Sequence, residues 1–362
     1  MKSIFDRFNL QLFADTNYNV NVTTTQNGSG QPAFGPTLKA FYDTELLENA
    51  RAEMYYAQFA KKQPLPAGNG KTVEWRKWNT FEKAKKLNEG VIPTGQTFGM
   101  TNLTSTIDQY GTYATVSDVL EFTAYDDIIL GATEEMGASA AETQETLIRD
   151  ALLVNKNVLY CDNVTLATGA AAAPTAQNPQ ALEASATVVS LLTPKMVAKA
   201  ATILKKGRAP RINGKYVAVI HPSVAHDLRQ SDEWIEAHKY AATTEIFNGE
   251  IGELHGVRFV ESTFAPVLGG DEYKNKAGTV TYATYFMGKD AFGIIDPEGG
   301  ALEMIVKDKS QIGGPLNQYS TIGYKFMTNG AKVLYPERLL RVMSCSTYSG
   351  VDAVSTGVGA EA

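Results

Sequence analysis

Two histidines five residues apart, His221 and His226, are the first side chains in this sequence that could do chemistry, since imidazole both ligates metals and carries protons near neutral pH. Zinc binding from a helix needs its histidines one turn apart, as in HExxH, and here Pro222 sets a turn between them. They read as a turn residue and a helix residue held by ordinary hydrogen bonds. Gly70-Lys71-Thr72 copies the end of a phosphate-binding loop, but Leu65 stands where the first glycine belongs. Strand-like Val73-Glu74-Trp75-Arg76 follows where a helix must begin. The neighbouring carboxylates Asp126-Asp127 and Glu134-Glu135 diverge around a helix and so form no acid/base pair. There is no GxSxG elbow, and Cys161 has no recognisable partner. The sequence therefore nominates no catalytic, cofactor-binding or metal-ligating residue and no small-molecule substrate.

Composition is that of an ordinary globular chain. The 362 residues are 44% hydrophobic and 20% charged, enough for one elongated or two compact domains. No apolar run approaches the roughly 18 residues of a membrane span. Cys161 and Cys345 lie far apart and outside any CxxC pair, which fits small buried hydrophobes in a reducing cytoplasm. A net charge of −6 argues against a protein that grips nucleic acid.

The distribution of charge says more than its sum. Residues 61–89 hold eight basic side chains (Lys61, Lys62, Lys71, Arg76, Lys77, Lys83, Lys85, Lys86) against Glu74, Glu82 and Glu89. Residues 118–150 hold nine acids, among them Asp126, Asp127, Glu134, Glu135, Glu142 and Glu145, against Arg149 alone. Opposite patches on one chain suit a head-to-tail interface between identical copies, because such an interface joins two different surfaces. The expected contact is Lys71, Arg76, Lys77, Lys83, Lys85 and Lys86 of one subunit lying across the acidic helix of the next.

The elements that must carry these patches follow in order. Ile4, Phe5, Phe8 and Leu12 share helical spacing and predict a short amphipathic docking helix, with Asp6 and Arg7 interrupting any secretory apolar core. Residues 15–36 are Asn/Thr/Gly/Ser-rich and read as an extended arm, so 1–36 forms an N-terminal arm. Thr37 caps a helix that ends before Pro64. Residues 65–116 contain two strand-like stretches, Thr72 to Trp78 and Asn102 to Val116, around EGVIPTGQTFG. A connection this long needs a function, and an isolated hairpin needs a neighbour. A long helix is expected from about Asp126 to Tyr160, with Ile129, Met136, Leu147, Ala151, Val154 and Val158 on one stripe. After a low-complexity connection, Thr193-Pro194 opens a helix that Gly207 and Pro210 close. Lys215 to Ile220 is a strand, Ser223 caps a helix from Val224, and Val257 to Ser262 is a second strand after a turn-like GELHG. Strands continue at Thr279 to Met287 and Ala291 to Ile295. Leu302 to Lys307 and Ser320 to Phe326 alternate as an antiparallel pair packed on the long helix.

Tyr216 to Trp234 (YVAVIHPSVAHDLRQSDEW) and Ile322 to Met343 (IGYKFMTNGAKVLYPERLLRVM), with this order of elements, resemble the major capsid proteins of tailed bacteriophages, including the coliphage N4-like group. The resemblance implies the α+β Hong Kong 97 type capsid fold. It would divide the chain into an extended loop (65–116), a peripheral domain (117–186 and 298–330) with the spine helix, and an axial α/β domain (187–297 and 331–362). It implies self-assembly into pentamers and hexamers of an icosahedral head shell in the host cytoplasm, without enzymatic activity. The partners it implies are a scaffolding protein, a portal and packaged double-stranded DNA. Some coats of this fold join Lys to Asn covalently, and Lys83, Lys85 and Lys86 sit on the arm, but nothing here identifies an Asn partner. An encapsulin shell around cargo enzymes is the alternative on the same fold.

Overall fold

The computed structural model describes residues 55–86, 89–90, 92, 95–123, 128–240, 250–298, 302–312, 316, 318–327 and 330–355. The N-terminal docking residues Ile4, Phe5, Phe8 and Leu12 lie outside them, as does most of the helix expected from Thr37. What is described of that helix is one turn, α1 (Tyr56–Phe59), and the chain then extends as β1 (Lys61–Leu65) instead of staying helical to Pro64. Pro64 is tolerated because β1 is an edge strand.

Strand β2 (Thr72–Trp78) forms where Thr, Val and Trp alternate with charged residues, and it pairs with β3 (Met100–Thr106) from Thr72 opposite Thr106 to Trp78 opposite Met100. The second expected arm strand is in fact two. Ile107 is buried and its N–H bonds to the Lys71 carbonyl (3.0 Å), which closes the hairpin at its root. Beyond it β4 (Gln109–Ser117) turns away to join another sheet.

After α2 (Asp118–Thr123), helix α3 (Ile128–Leu153) spans 26 residues, a rod of about 39 Å at 1.5 Å per residue. It stops seven residues before the expected end. The Asn155 and Asn157 side-chain amides both donate to the Leu339 carbonyl (2.6 and 3.1 Å), and the chain leaves as strand β5 (Val158–Tyr160). The low-complexity stretch is itself ordered: β6 (Asn163–Thr165), β7 (Ala171–Ala172) and β8 (Val188–Val189) make a small sheet beneath a fully buried Leu182.

Helix α4 (Pro194–Lys206) keeps its expected ends, though Thr193 stands at the cap with no side-chain bond to the helix. Strand β9 (Tyr216–Ile220) leads into α5 (Pro222–Arg229), whose cap is His221, not Ser223: the His221 ring accepts from the Ser223 N–H. Helix α6 (Asp232–Tyr240) precedes β10 (Glu250–Leu254) and β11 (Val257–Glu261). The turn between those strands is only His255-Gly256, at φ 53° and 78°, the left-handed pair a tight hairpin demands. The chain continues through β12 (Val267–Leu268), β13 (Thr281–Met287), β14 (Phe292–Pro297), β15 (Glu303–Lys307), β16 (Tyr319–Met327), β17 (Lys332–Val333) and β18 (Leu339–Ser344).

A seven-stranded mixed sheet, ordered β10-β11-β9-β13-β18-β5 with β12 on β13, forms the core. Helices α4 to α6 cover one face through Met196, Val197, Leu204, Val224, Leu228 and Trp234. On the other face Tyr56 of α1 and Ile148 and Leu152 of α3 pack on Val219, Tyr285 and Met287. Each such aromatic or aliphatic side chain contributes about 1.5–3 kcal/mol by leaving water. The three-stranded sheet β15-β16-β4 lies along α3, where Ala140 and Met136 meet Tyr324, Phe326 and Met304, as expected for a strand pair on the long helix. Ala140 is fully buried, which is the close approach its small side chain permits.

Candidate assembly surfaces

The hairpin β2–β3 is rooted in the body on one face and bare on the other. Trp75 packs with Leu65, Ile107, Ile295 and Leu334, while its neighbours Glu74 and Arg76 point to solvent by strand alternation. Two cations lie over the Tyr335 ring: the Lys77 Nζ is 4.4 Å from its centre and the Arg338 guanidinium 3.7 Å. Lys77 also pairs with Glu337 at 3.0 Å. Burial alone would raise the Glu337 carboxyl, but its own backbone N–H and Lys77 together hold it below the usual range. Lys77 is therefore part of the hairpin's root within its own subunit, a correction to its place among residues offered to a neighbour.

Past the root the two limbs stay stitched. The Asn79 N–H donates to the Gly99 carbonyl (3.0 Å), and the Gln96 side chain accepts from the Glu82 N–H (3.0 Å) and donates to the Glu82 carbonyl (3.3 Å), completing a ladder step with a side-chain amide. Between them stands a bare aromatic stack: Trp78 and Phe98 centroids are 4.4 Å apart and Phe81 and Phe98 5.6 Å, with these rings 59%, 66% and 56% exposed. Lys83, Lys85 and Lys86 extend beyond this stack, all exposed, as Lys71 and Arg76 are nearer the root. Sequence charge alone pointed to the lysines and missed the aromatic stack, which the register places across the hairpin and which is the better anchor for a partner.

The acidic surface is smaller than its sequence suggests. Glu134, Glu135 and Glu142 are exposed on α3, and Asp126 and Asp127 lie outside the described residues. Glu145 is buried at 2% exposure, where its carboxylate accepts the backbone N–H groups of Tyr55 (2.6 Å) and Tyr56 (2.8 Å) and anchors α1 to α3. Burial pushes this carboxyl above the usual range although those amides pull it down. It is an internal clasp and no interface charge, a second correction. Beside the acids, α2 exposes apolar side chains: Val119, Leu120 and Phe122 are 66%, 49% and 90% accessible, next to Asp118 and Glu121.

The groups with chemical potential are occupied structurally. Burial lowers the basicity of His221, whose ring packs on Tyr282; His226 hydrogen-bonds Gln230 across one helical turn. Asp352 accepts from Tyr282 (2.6 Å) and Ser223, and Asp227 accepts from Ser346 and Thr347, so both carboxylates fasten the segment after β18 to α5. Cys161 and Cys345 are buried in clusters on opposite faces of the seven-stranded sheet; burial drives both thiols up, Cys345 to about 12. Among the described residues no three His, Cys, Asp or Glu side chains gather as a ligand set, and no helix is long and apolar enough to cross a membrane.

A family model described as phage capsid protein matches residues 101–327, well over half of the chain. The chain belongs to the phage capsid protein family. No curated protein matches it. Among solved structures it is similar to the capsid of cyanophage P-SCSP1u (TM-score 0.62, 15% identity, 90% of this chain and 100% of that one). It is similar also to the capsid of Ralstonia phage GP4 (0.63, 14%, 87% and 97%) and the acidic stable capsid of Helicobacter pylori bacteriophage KHP30 (0.66, 10%, 90% and 99%). The fold of this phage capsid protein is thus the α+β Hong Kong 97 type. A major capsid protein is a structural subunit of the head shell, so hairpin and helix are read as assembly surfaces of a virion component.

Proposed function

We propose that this protein closes the icosahedral head of a tailed phage through pentamers and hexamers in which the hairpin of one subunit lies over residues 118–142 of the next. The observation that carries this reading is complementarity. The hairpin ends in a bare aromatic stack followed by Lys83, Lys85 and Lys86, and the chain elsewhere offers apolar Val119, Leu120 and Phe122 with Asp118, Glu134, Glu135 and Glu142, while Glu121 is paired within its own subunit by Lys309 at 3.0 Å. An aromatic centre with a charged rim is the anatomy of a specific protein interface. Each exposed ion pair is worth only about 0.2–1 kcal/mol, but closed symmetry repeats the contact over the shell while single contacts stay weak enough to correct errors.

In this reading α3, β15 and β16 belong to a peripheral domain (117–186 and 298–330), whose sheet β4 joins from the extended loop (65–116) by pairing with β16. Strands β9 to β13 and β18, with helices α4 to α6, form the axial domain (187–297 and 331–362), and β5 joins their sheet from the peripheral segment by pairing with β18. The segment with Ile4, Phe5, Phe8 and Leu12 docks on a neighbour or on a scaffolding protein, one vertex holds a portal, and the shell encloses double-stranded DNA after assembly in the host cytoplasm. The role is structural and needs no enzymatic activity. The likeness to the coliphage N4-like group belongs to this reading and rests on the order of elements.

The test is the triple variant Lys83→Glu, Lys85→Glu, Lys86→Glu, followed by light scattering and negative-stain imaging at low salt. Loss of shells, with recovery when Glu134, Glu135 and Glu142 are changed to Lys in the same chain, is the expected result. Normal assembly of the triple variant would overturn the charge pairing.

A further inference from the structure

At one end of the central strands β9, β13 and β18, three loops interlock. The Lys289 N–H donates to the Pro210 carbonyl (2.8 Å), the Gly288 N–H to the Arg338 carbonyl (2.8 Å), and the Arg338 guanidinium to the Lys289 carbonyl (3.2 Å). A Cβ on Gly207 would stand 3.0 Å from the Glu337 carbonyl, so the end of α4 abuts the same loops. This knot gathers Lys205, Lys206, Arg208, Arg211, Lys289 and Arg338, the first five exposed. Within the segments 203–215, 288–290 and 335–338 the acids are Asp290 and Glu337, and Glu337 is already paired with Lys77. On a chain of net charge −6, this concentration of cations is anomalous.

The ridge differs in kind from the hairpin. No large exposed apolar side chain falls in residues 203–215, 288–290 or 335–338, whereas the hairpin's lysines surround a bare aromatic stack. A protein partner needs an apolar centre from which water is driven, and a phosphodiester backbone needs only cations that replace its counterions. The geometry points to the ridge as a sequence-independent contact for the phosphates of double-stranded DNA: the shell would touch its contents as well as enclose them. The contact uses lysine and arginine as point and forked donors to phosphate oxygens and reads no base. Overall acidity hides it, because the cations come from three segments and the excess acid lies elsewhere on the chain.

The full chain should be titrated against a labelled mixed-sequence DNA duplex by fluorescence anisotropy. Salt would vary from about 50 to about 200 mM, over which six phosphate contacts weaken binding about a thousandfold. The variant Lys205→Gln, Lys206→Gln, Lys289→Gln should weaken binding and flatten the log–log salt slope by about 2 to 3, at about 0.9 per lost contact. It should still form shells. The hairpin variant Lys83→Gln, Lys85→Gln, Lys86→Gln should keep the wild-type slope whether or not it assembles, which separates the DNA contact from the proposed role of the hairpin. Three outcomes would overturn the assignment. These are no duplex binding at the lowest salt, an equal loss of slope in the hairpin variant, and a ridge variant that binds DNA normally but no longer forms shells, which would give the ridge to an acidic face of a second copy.

Discussion

Replacing Glu145 separates its two roles, hydrogen-bond acceptor and buried charge. Its carboxylate takes the N–H groups of Tyr55 and Tyr56, both in buried residues and about ninety positions upstream. Glu145→Ala orphans both donors at about 1–3 kcal/mol each. Removing a carboxylate whose burial disfavours its charge returns part of that loss. A net destabilisation of about 2–3 kcal/mol is expected, lowering the urea midpoint of the unassembled subunit by about 0.5–1 M. Glu145→Gln keeps a carbonyl for both amides, loses the charge, and should stay within about 1 kcal/mol of wild type. The pH dependence has a definite sign. Because the folded carboxyl sits above its unfolded value, the native state holds the extra proton between the two, and stability falls as pH rises through that window. The wild type should therefore lose stability relative to Glu145→Gln as pH rises from the ordinary carboxylate range toward neutrality. Equal destabilisation by Ala and Gln, or a flat difference with pH, would refute the reasoning.

Other substitutions probe separate contacts. In Gly323→Ala the new Cβ would meet the Tyr113 Cβ at 2.8 Å and the Thr112 carbonyl at 2.9 Å across the β16–β4 pair, so thermal unfolding should show a loss of about 1–3 kcal/mol; an unchanged melting point would deny that the strands meet this closely. Gly269 lies under Val354, and Ser355 is paired in both directions with Val267 (2.9 Å each). Gly269→Ala should therefore speed hydrogen exchange at the Ser355 amide, and Val354→Ala in the same chain should restore protection. With both thiols buried and driven up, iodoacetamide near neutral pH should leave Cys161 and Cys345 unmodified until denaturant is added; rapid labelling of the native protein would place them at the surface.

Sequence order made the elements legible wherever local chemistry decides them. Thr72–Trp78 reads off its alternation to the residue, and α4 off Thr193-Pro194 and Gly207. The end of α3 was not legible, because Val154 and Val158 continue the apolar spacing. What breaks the helix is a pair of asparagines bonded to Leu339, some 180 positions away. Likewise, residues 102–116 alternate without a local break, and only the burial of Ile107 separates hairpin from sheet. At the assembly surfaces, charge counting found the basic arm and the acidic helix but could not tell a solvated carboxylate from Glu145. It also could not see Lys77 claimed by Tyr335 and Glu337. Trp78, Phe81 and Phe98 were in view as residues, but their stacking depends on cross-strand register.

A cryo-electron density map of particles assembled from the purified protein measures the central proposal directly. The map should show closed shells in which residues 78–100 of each subunit reach beyond their own body and set Trp78, Phe81 and Phe98 against residues 118–142 of the adjacent copy. A hairpin lying on its own subunit throughout the shell, or a preparation that yields only monomers, would contradict it.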